Sequence, residues 1–166
     1  MNQIAAAVLS AALGPYALAQ TRQHAETTIV VHPPAPPEMA FPLLGPVREA
    51  EWSPHWSPHM LYPADQAAGA VFTTRQHDVV WVLTTYHESA LRIGYVVVWP
   101  GMCATKLDIA LQATPDGTTE AAVTYRRTAL SEAGDTYVKD FARDFPGQRE
   151  HWEQAIGSPL RELRKR

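Results

Sequence analysis

Two histidines four residues apart, His55 and His59, sit in a tandem Trp-Ser-Pro-His repeat running from Trp52 to His59. Imidazoles at that spacing hold a metal when a helix puts them on one face, or act as acid and base at a cavity mouth. Pro54 and Pro58 exclude a regular helix, and no third ligand stands nearby in sequence, so no metal site is expected. What remains is an aromatic-rich loop that either gates a ligand or simply packs. Trp52 and Trp56 are core anchors or ligand-stacking rings, and Trp56 is a cavity candidate.

Three other places carry reactive groups. Tyr86, His87 and Glu88 adjoin at a strand end and offer acid/base chemistry, but neighbours on a strand point to opposite faces. A polar hairpin turn is therefore the plainer reading. Arg127 shares the phase of Ala121, Val123 and Tyr125 and so points inward unless the strand end lies beyond the core. An inward guanidinium needs a partner, and a ligand's carboxylate or phenolate would serve. Cys103 is the only cysteine. It excludes an internal disulfide and a cysteine-based zinc site, and reads as a small buried hydrophobe.

These groups need a scaffold, and composition provides for one. The chain has 166 residues, 46% hydrophobic and 19% charged, which suits a single globular domain with a real core. A net charge of −3 offers nothing to a phosphate backbone, so no nucleic-acid partner is expected. Arg161, Arg164, Lys165 and Arg166 read as a solvated helix C-terminus. No Gly-rich phosphate loop, G-x-S-x-G elbow or H-E-x-x-H is present, which removes the commonest nucleotide-dependent, hydrolase and zinc-protease readings. No cofactor is called for.

Ile4 to Leu13 is a short apolar run, broken at Gly14-Pro15 and followed by Ala17-Leu18-Ala19. That pattern is an export signal over residues 1–19, without the usual basic start. It implies a periplasmic or secreted protein, the alternative being a cytoplasmic one with an extension. The run falls short of the ~20 residues that span a bilayer. Residues 20–25 read as a flexible connector, and 26–166 as one domain.

Within that domain Thr27 to Val31 reads as a first strand, closed by Pro33 to Pro37. Met39, Phe41, Leu43, Leu44 and Val47 mark one or two short helices. Met60 to Tyr62 is a short strand. Five further strands follow: Gly69 to Arg75, Val79 to Tyr86, Leu91 to Trp99, Thr105 to Ala113 and Thr119 to Thr128. Gln76-His77, His87 to Ser89 and Asp116-Gly117 supply turns, and such short connections make antiparallel neighbours. The second and third of the five are apolar on both faces, so the short helices or a second subunit must cover the outer one, and the helices are the first choice. From Ser131 onward Val138, Phe141, Phe145, Trp152, Ile156, Leu160 and Leu163 form one helical stripe. Pro146-Gly147 should break the helix, and Ser158-Pro159 should restart it.

Several stretches carry a family resemblance: Pro46 to Trp52, Gly69 to Thr74, Val123-Thr124-Tyr125, Thr128 to Glu132 and Trp152 to Ile156. With the element order they resemble bacterial members of the SRPBCC superfamily, the START-related helix-grip fold that includes pollen-allergen-like proteins and polyketide cyclases. The resemblance covers Glu26 to Leu163. It implies an α+β fold in which a curved antiparallel sheet of six to seven strands wraps a long C-terminal helix, with short helices after the first strand. It also implies a cavity between sheet and helix that binds or transports a lipid-, polyketide- or aromatic-like ligand. No catalytic motif defines the superfamily, so no catalytic residue carries over.

The expected cavity wall is Trp81, Leu83, Tyr95, Val97, Leu107, Ile109, Leu111, Val123, Tyr125, Arg127, Phe141 and Phe145, with Trp56 at the loop. A non-catalytic carrier is the leading expectation. A cofactorless cyclase, dehydratase or isomerase would use the same cavity, with His55, Tyr125 or Arg127 as its titratable groups. An interaction protein with a filled core would use the doubly apolar strands as a dimer face. Monomer and homodimer both stay open.

Overall fold

The computed structural model describes residues 21–76 and 78–163. The export-signal segment, His77 of the expected turn and Arg164, Lys165 and Arg166 lie outside the described residues.

Seven strands form one antiparallel sheet in the order β1-β7-β6-β5-β4-β3-β2. They are β1 (His24–Val31), β2 (His59–Tyr62), β3 (Val71–Thr74), β4 (Val79–His87), β5 (Arg92–Trp99), β6 (Cys103–Ala113) and β7 (Thr119–Ala129). Helix α1 (Pro37–Ala40) and 3-10 turns at Phe41–Leu44 and Arg48–Glu51 follow β1; α2 (Glu132–Asp144) and α3 (Arg149–Leu163) end the chain. This is the expected helix-grip architecture.

The long strands β6 and β7 alternate cleanly. Leu107, Ile109 and Leu111 pair across the ladder with Tyr125, Val123 and Ala121, and all six are buried. One face of each strand therefore builds the core while the other stays wet. β4 does not keep phase. A bulge between Leu83 and Thr85 inserts a residue, so Leu83 and Tyr86, three apart, both turn inward.

β1 begins at His24, three residues before the expected Thr27. Residues 22–25, expected within a flexible connector, are held instead. Arg22 Nη1 donates to Asp135 at 2.9 Å, the Gln23 amide donates to the same carboxylate at 2.8 Å, and His24 and Ala25 pair with β7.

The two helical segments share the concave face. Phe141 and Phe145 pack on Tyr125, 5.3 and 4.8 Å between ring centroids. The Tyr95 hydroxyl, on the same face, donates to the Leu44 carbonyl at 3.0 Å. The expectation that the short helices cover the second face of β4 and β5 is thus corrected. Tyr95, Phe41 and Leu44 draw those helices inward, and Val96 and Val98 on the convex face remain 40% and 36% exposed.

The C-terminal segment changes direction where expected. Pro146 lies in a 3-10 turn, Phe145–Gln148, between α2 and α3. The second expected interruption is absent, because α3 runs through Pro159. Ile156 and Leu160, one turn apart, are fully buried on either side of it. Burying side chains of that size contributes about 1.5–3 kcal/mol each, enough to offset the ~3 kcal/mol that an interior proline costs.

The start of α2 requires one glycine. Ser131 caps it by accepting from the Gly134 amide at 3.1 Å, and its hydroxyl donates to the Gly101 carbonyl. This latch presses α2 onto the β5–β6 turn. A Cβ at Gly134 would stand 1.9 Å from the Met102 carbonyl oxygen.

Candidate functional site

Most of the expected cavity wall is filled core. Leu83, Tyr95, Leu107, Ile109, Leu111, Val123 and Phe145 are buried in one continuous cluster together with Phe41, Phe72, Ile156 and Leu160. Space remains at one end, where β4 to β7 meet α2. There a cavity of about 120 Å³ is walled by Val79, Trp81, Val97, Trp99, Thr105 and Tyr125, with Arg127 and Tyr137 on the α2 side. Of the expected residues, Trp81, Val97, Tyr125 and Arg127 line it. Cys103 lines it as well, buried beside Ala129 and Val138.

Arg127 is the unusual group. Strand phase turns it inward, and its Cζ sits 3.5 Å from the Phe141 ring centroid, with Tyr125 and Tyr137 at 5.0 and 5.3 Å. Nη1 donates to the Tyr137 hydroxyl at 2.6 Å. Nε is buried without a hydrogen-bond partner. Among the described residues no carboxylate lies within ion-pair distance of it. Arg75 stands at the rim with its Cζ 4.4 Å over Trp99. Arg75 and Gln76 both have positive φ, 52° and 56°, a strained pair that turns the β3–β4 connection over the opening.

An outer groove of about 720 Å³ adjoins the cavity, and Thr74, Arg75 and Trp81 border both. The other wall of the groove is the Trp-Ser-Pro-His loop, with His55, Trp56 and His59. Trp56 is an anchor as well as a wall. Its Nε1 donates to the Pro46 carbonyl at 2.6 Å, and its ring meets Trp81 and Phe72 edge-on at 5.2 and 5.9 Å. Trp52 is core-bound, donating to the Leu43 carbonyl at 2.7 Å and packing on Trp152. His55 therefore faces the groove and not the cavity. Tyr86, His87 and Glu88 do not converge. Tyr86 turns in against Phe41, while His87 Nδ1 accepts from the Ala90 amide at the strand end.

Glu49 is a group that sequence reasoning passed over. It lies in the 3-10 turn Arg48–Glu51, whose entry is capped from a distance. Gln66 Oε1 accepts from the Val47 and Arg48 amides at 3.0 and 2.9 Å, and Gln66 Nε2 donates to the Tyr86 hydroxyl at 3.2 Å. Arg48 spends its guanidinium on Glu51, at 2.6 and 3.0 Å, and leaves Glu49 without an ion pair among the described residues. The Glu49 carboxyl faces inward, within electrostatic reach of Tyr95 and Tyr125. Burial pushes it up to about 8. Burial also pushes the Tyr125 phenol well up, an effect Glu49 reinforces and Arg127 opposes. Both phenols are thus hydrogen-bond donors at neutral pH. One signal in the sequence could have found Glu49: at 3-10 spacing, i and i+3 eclipse, so Glu49 follows Trp52 inward.

No family model matches the chain, and no curated protein is detectably similar to it in sequence. Solved structures do match. The crystal structure of Ara h 8.0201 superposes with a TM-score of 0.63 at 14% identity, covering 84% of this chain and 99% of that one. DynU16, a putative protein in the dynemicin biosynthetic locus, gives 0.55 at 14% identity over 82% of this chain and 47% of that one. An HSP90 activator from Plasmodium falciparum gives 0.55 at 12% identity, covering 83% and 94%. At such identities the likeness concerns the fold alone. The chain has the helix-grip fold of these structures.

Proposed function

We propose that this protein binds a small hydrophobic ligand of about one aromatic ring in the cavity between β4–β7 and α2. The groove under the Trp-Ser-Pro-His loop serves as its entrance. The observation that carries this reading is selective emptiness. The core is filled along most of the sheet, yet open where Trp81, Trp99, Tyr125 and Tyr137 could enclose a ring. A dry cavity of ~150 Å³ suffices for benzene, so about 120 Å³ beside a groove suits a ligand of that scale. The test is Val97→Phe, which projects a ring into the space. The folded variant should lose at least ten-fold in affinity for benzyl alcohol, read by the indole N–H signals of Trp81 and Trp99. Unchanged affinity would refute the assignment.

One observation favours conversion of the ligand as a second reading. Glu49 holds a proton near neutral pH within electrostatic reach of Tyr125, which lines the cavity. A cofactorless acid/base reaction would then use Glu49 and Tyr125 in place of His55. We also propose that the chain is exported, on the pattern of Ile4 to Leu13 and Ala17-Leu18-Ala19. N-terminal sequencing of protein from the periplasm of a bacterial host, beginning at Gln20, would support it.

A further inference from the structure

We propose that the ligand is an acid: a small aromatic or branched carboxylate whose anionic end pairs with Arg127 and whose apolar body fills the cavity beside Trp81 and Val97. The inference rests on the reading of this cavity as a ligand site and adds the chemical class.

Four other arginines make the contrast. Arg22, Arg48, Arg126 and Arg143 each lie against at least one carboxylate, at 2.6–3.0 Å. Arg127 is more enclosed than a surface arginine, yet rings surround it instead of acids, and no acidic residue lines the cavity. Its Nε has no acceptor. A buried donor without an acceptor costs about 1–3 kcal/mol, and more when it belongs to a charged group. Nε is also one half of the side-on fork that Arg48 presents to Glu51 and Arg143 to Asp144.

The other polar groups suit the same end of a ligand. The Tyr137 hydroxyl accepts from Arg127 Nη1, which leaves its own proton to donate. Tyr125 keeps its proton, and Arg75 adds a second cation at the rim. Glu49, the carboxyl that faces Tyr125, is largely neutral near pH 7 and cannot serve as the counter-ion. Donors and cations with no resident anion, among aromatic walls, fit a carboxylate on an apolar body. A strongly hydrated free anion would gain nothing from those walls.

The experiment titrates the 15N-labelled full chain with benzoate and with benzyl alcohol at fixed ionic strength and pH 7, following the indole signals of Trp81 and Trp99. The expected result is that both probes move the signals, with benzoate binding at least ten-fold more tightly. Arg127→Met should abolish that preference, read as the ratio of the two affinities within the folded variant. Equal affinities in the native chain would overturn the proposal and leave the hydrophobic site standing, with Arg127 a strut packed on Phe141. Benzoate binding unchanged in Arg127→Met would overturn it too. Binding of neither probe would instead overturn the cavity reading itself. Should Arg127→Met fail to fold, the ratio in the native chain decides.

Discussion

Glu49→Gln should stabilise the protein at neutral and alkaline pH and do nothing in acid. The carboxyl titrates near 4.5 when solvated and at about 8 in the folded chain. Between those values the unfolded state releases a proton that the folded state keeps, so stability falls as pH rises through the window. Each unit of difference is about 1.4 kcal/mol. At pH 7 the native chain therefore carries a penalty of about 3 kcal/mol, rising to about 5 above pH 8 and vanishing below pH 4.5. Glutamine keeps the shape and cannot ionise. Urea denaturation of both proteins from pH 4 to pH 9 reads the difference. With a slope of ~2 kcal/mol per molar, the midpoint at pH 7 should move up by roughly 1.5 M in the variant. The two stability curves should meet near pH 4 and diverge above it. Parallel curves, or a variant less stable at pH 8, would refute the placement of a protonated carboxyl beside Tyr95 and Tyr125.

Other perturbations read other parts of the account. Gly134→Ala puts a methyl 1.9 Å from the Met102 carbonyl oxygen and should destabilise by about 1–3 kcal/mol, seen as a lower thermal midpoint; no change would mean that α2 is not latched to the β5–β6 turn. Trp56→Ala removes the hydrogen bond to Pro46 and two edge-on ring contacts and should cost about 3–5 kcal/mol in chemical denaturation; a loss below ~1 kcal/mol would make the loop an ornament on the fold. Pro159→Ala should raise stability by about 1–3 kcal/mol if α3 is continuous there, whereas a loss would indicate that proline ends one helix and begins another.

The parts of this molecule legible in the sequence are those governed by local pattern. Strict alternation in β6 and β7 reveals their inner faces, and carrying that phase one step beyond Tyr125 places Arg127 inside. The amphipathic stripe from Val138 to Leu160 and the break at Pro146 follow from periodicity and proline chemistry in the same way. Three features depend on distant partners and leave little or no local trace. The bulge after Leu83 sets Thr85 opposite Gly94 of β5 and returns Tyr86 to the core. Pro159 stays helical because Ile156 and Leu160 are held from the other side. The 3-10 turn that carries Glu49 is capped by Gln66, seventeen positions away, so only the i, i+3 spacing to Trp52 hints at its inward face. The size of the cavity is equally non-local. Residue types named the rings facing inward but not that Phe41 and Phe72 fill the space between most of them.

The central claim is that a small apolar molecule occupies the space between Trp81, Val97 and Tyr137. A crystal of the protein soaked with 4-bromobenzyl alcohol and measured at the bromine edge tests it most directly. The account predicts an anomalous peak inside that cavity. A peak confined to the outer groove beside His55 and Pro58, or no peak, would contradict it.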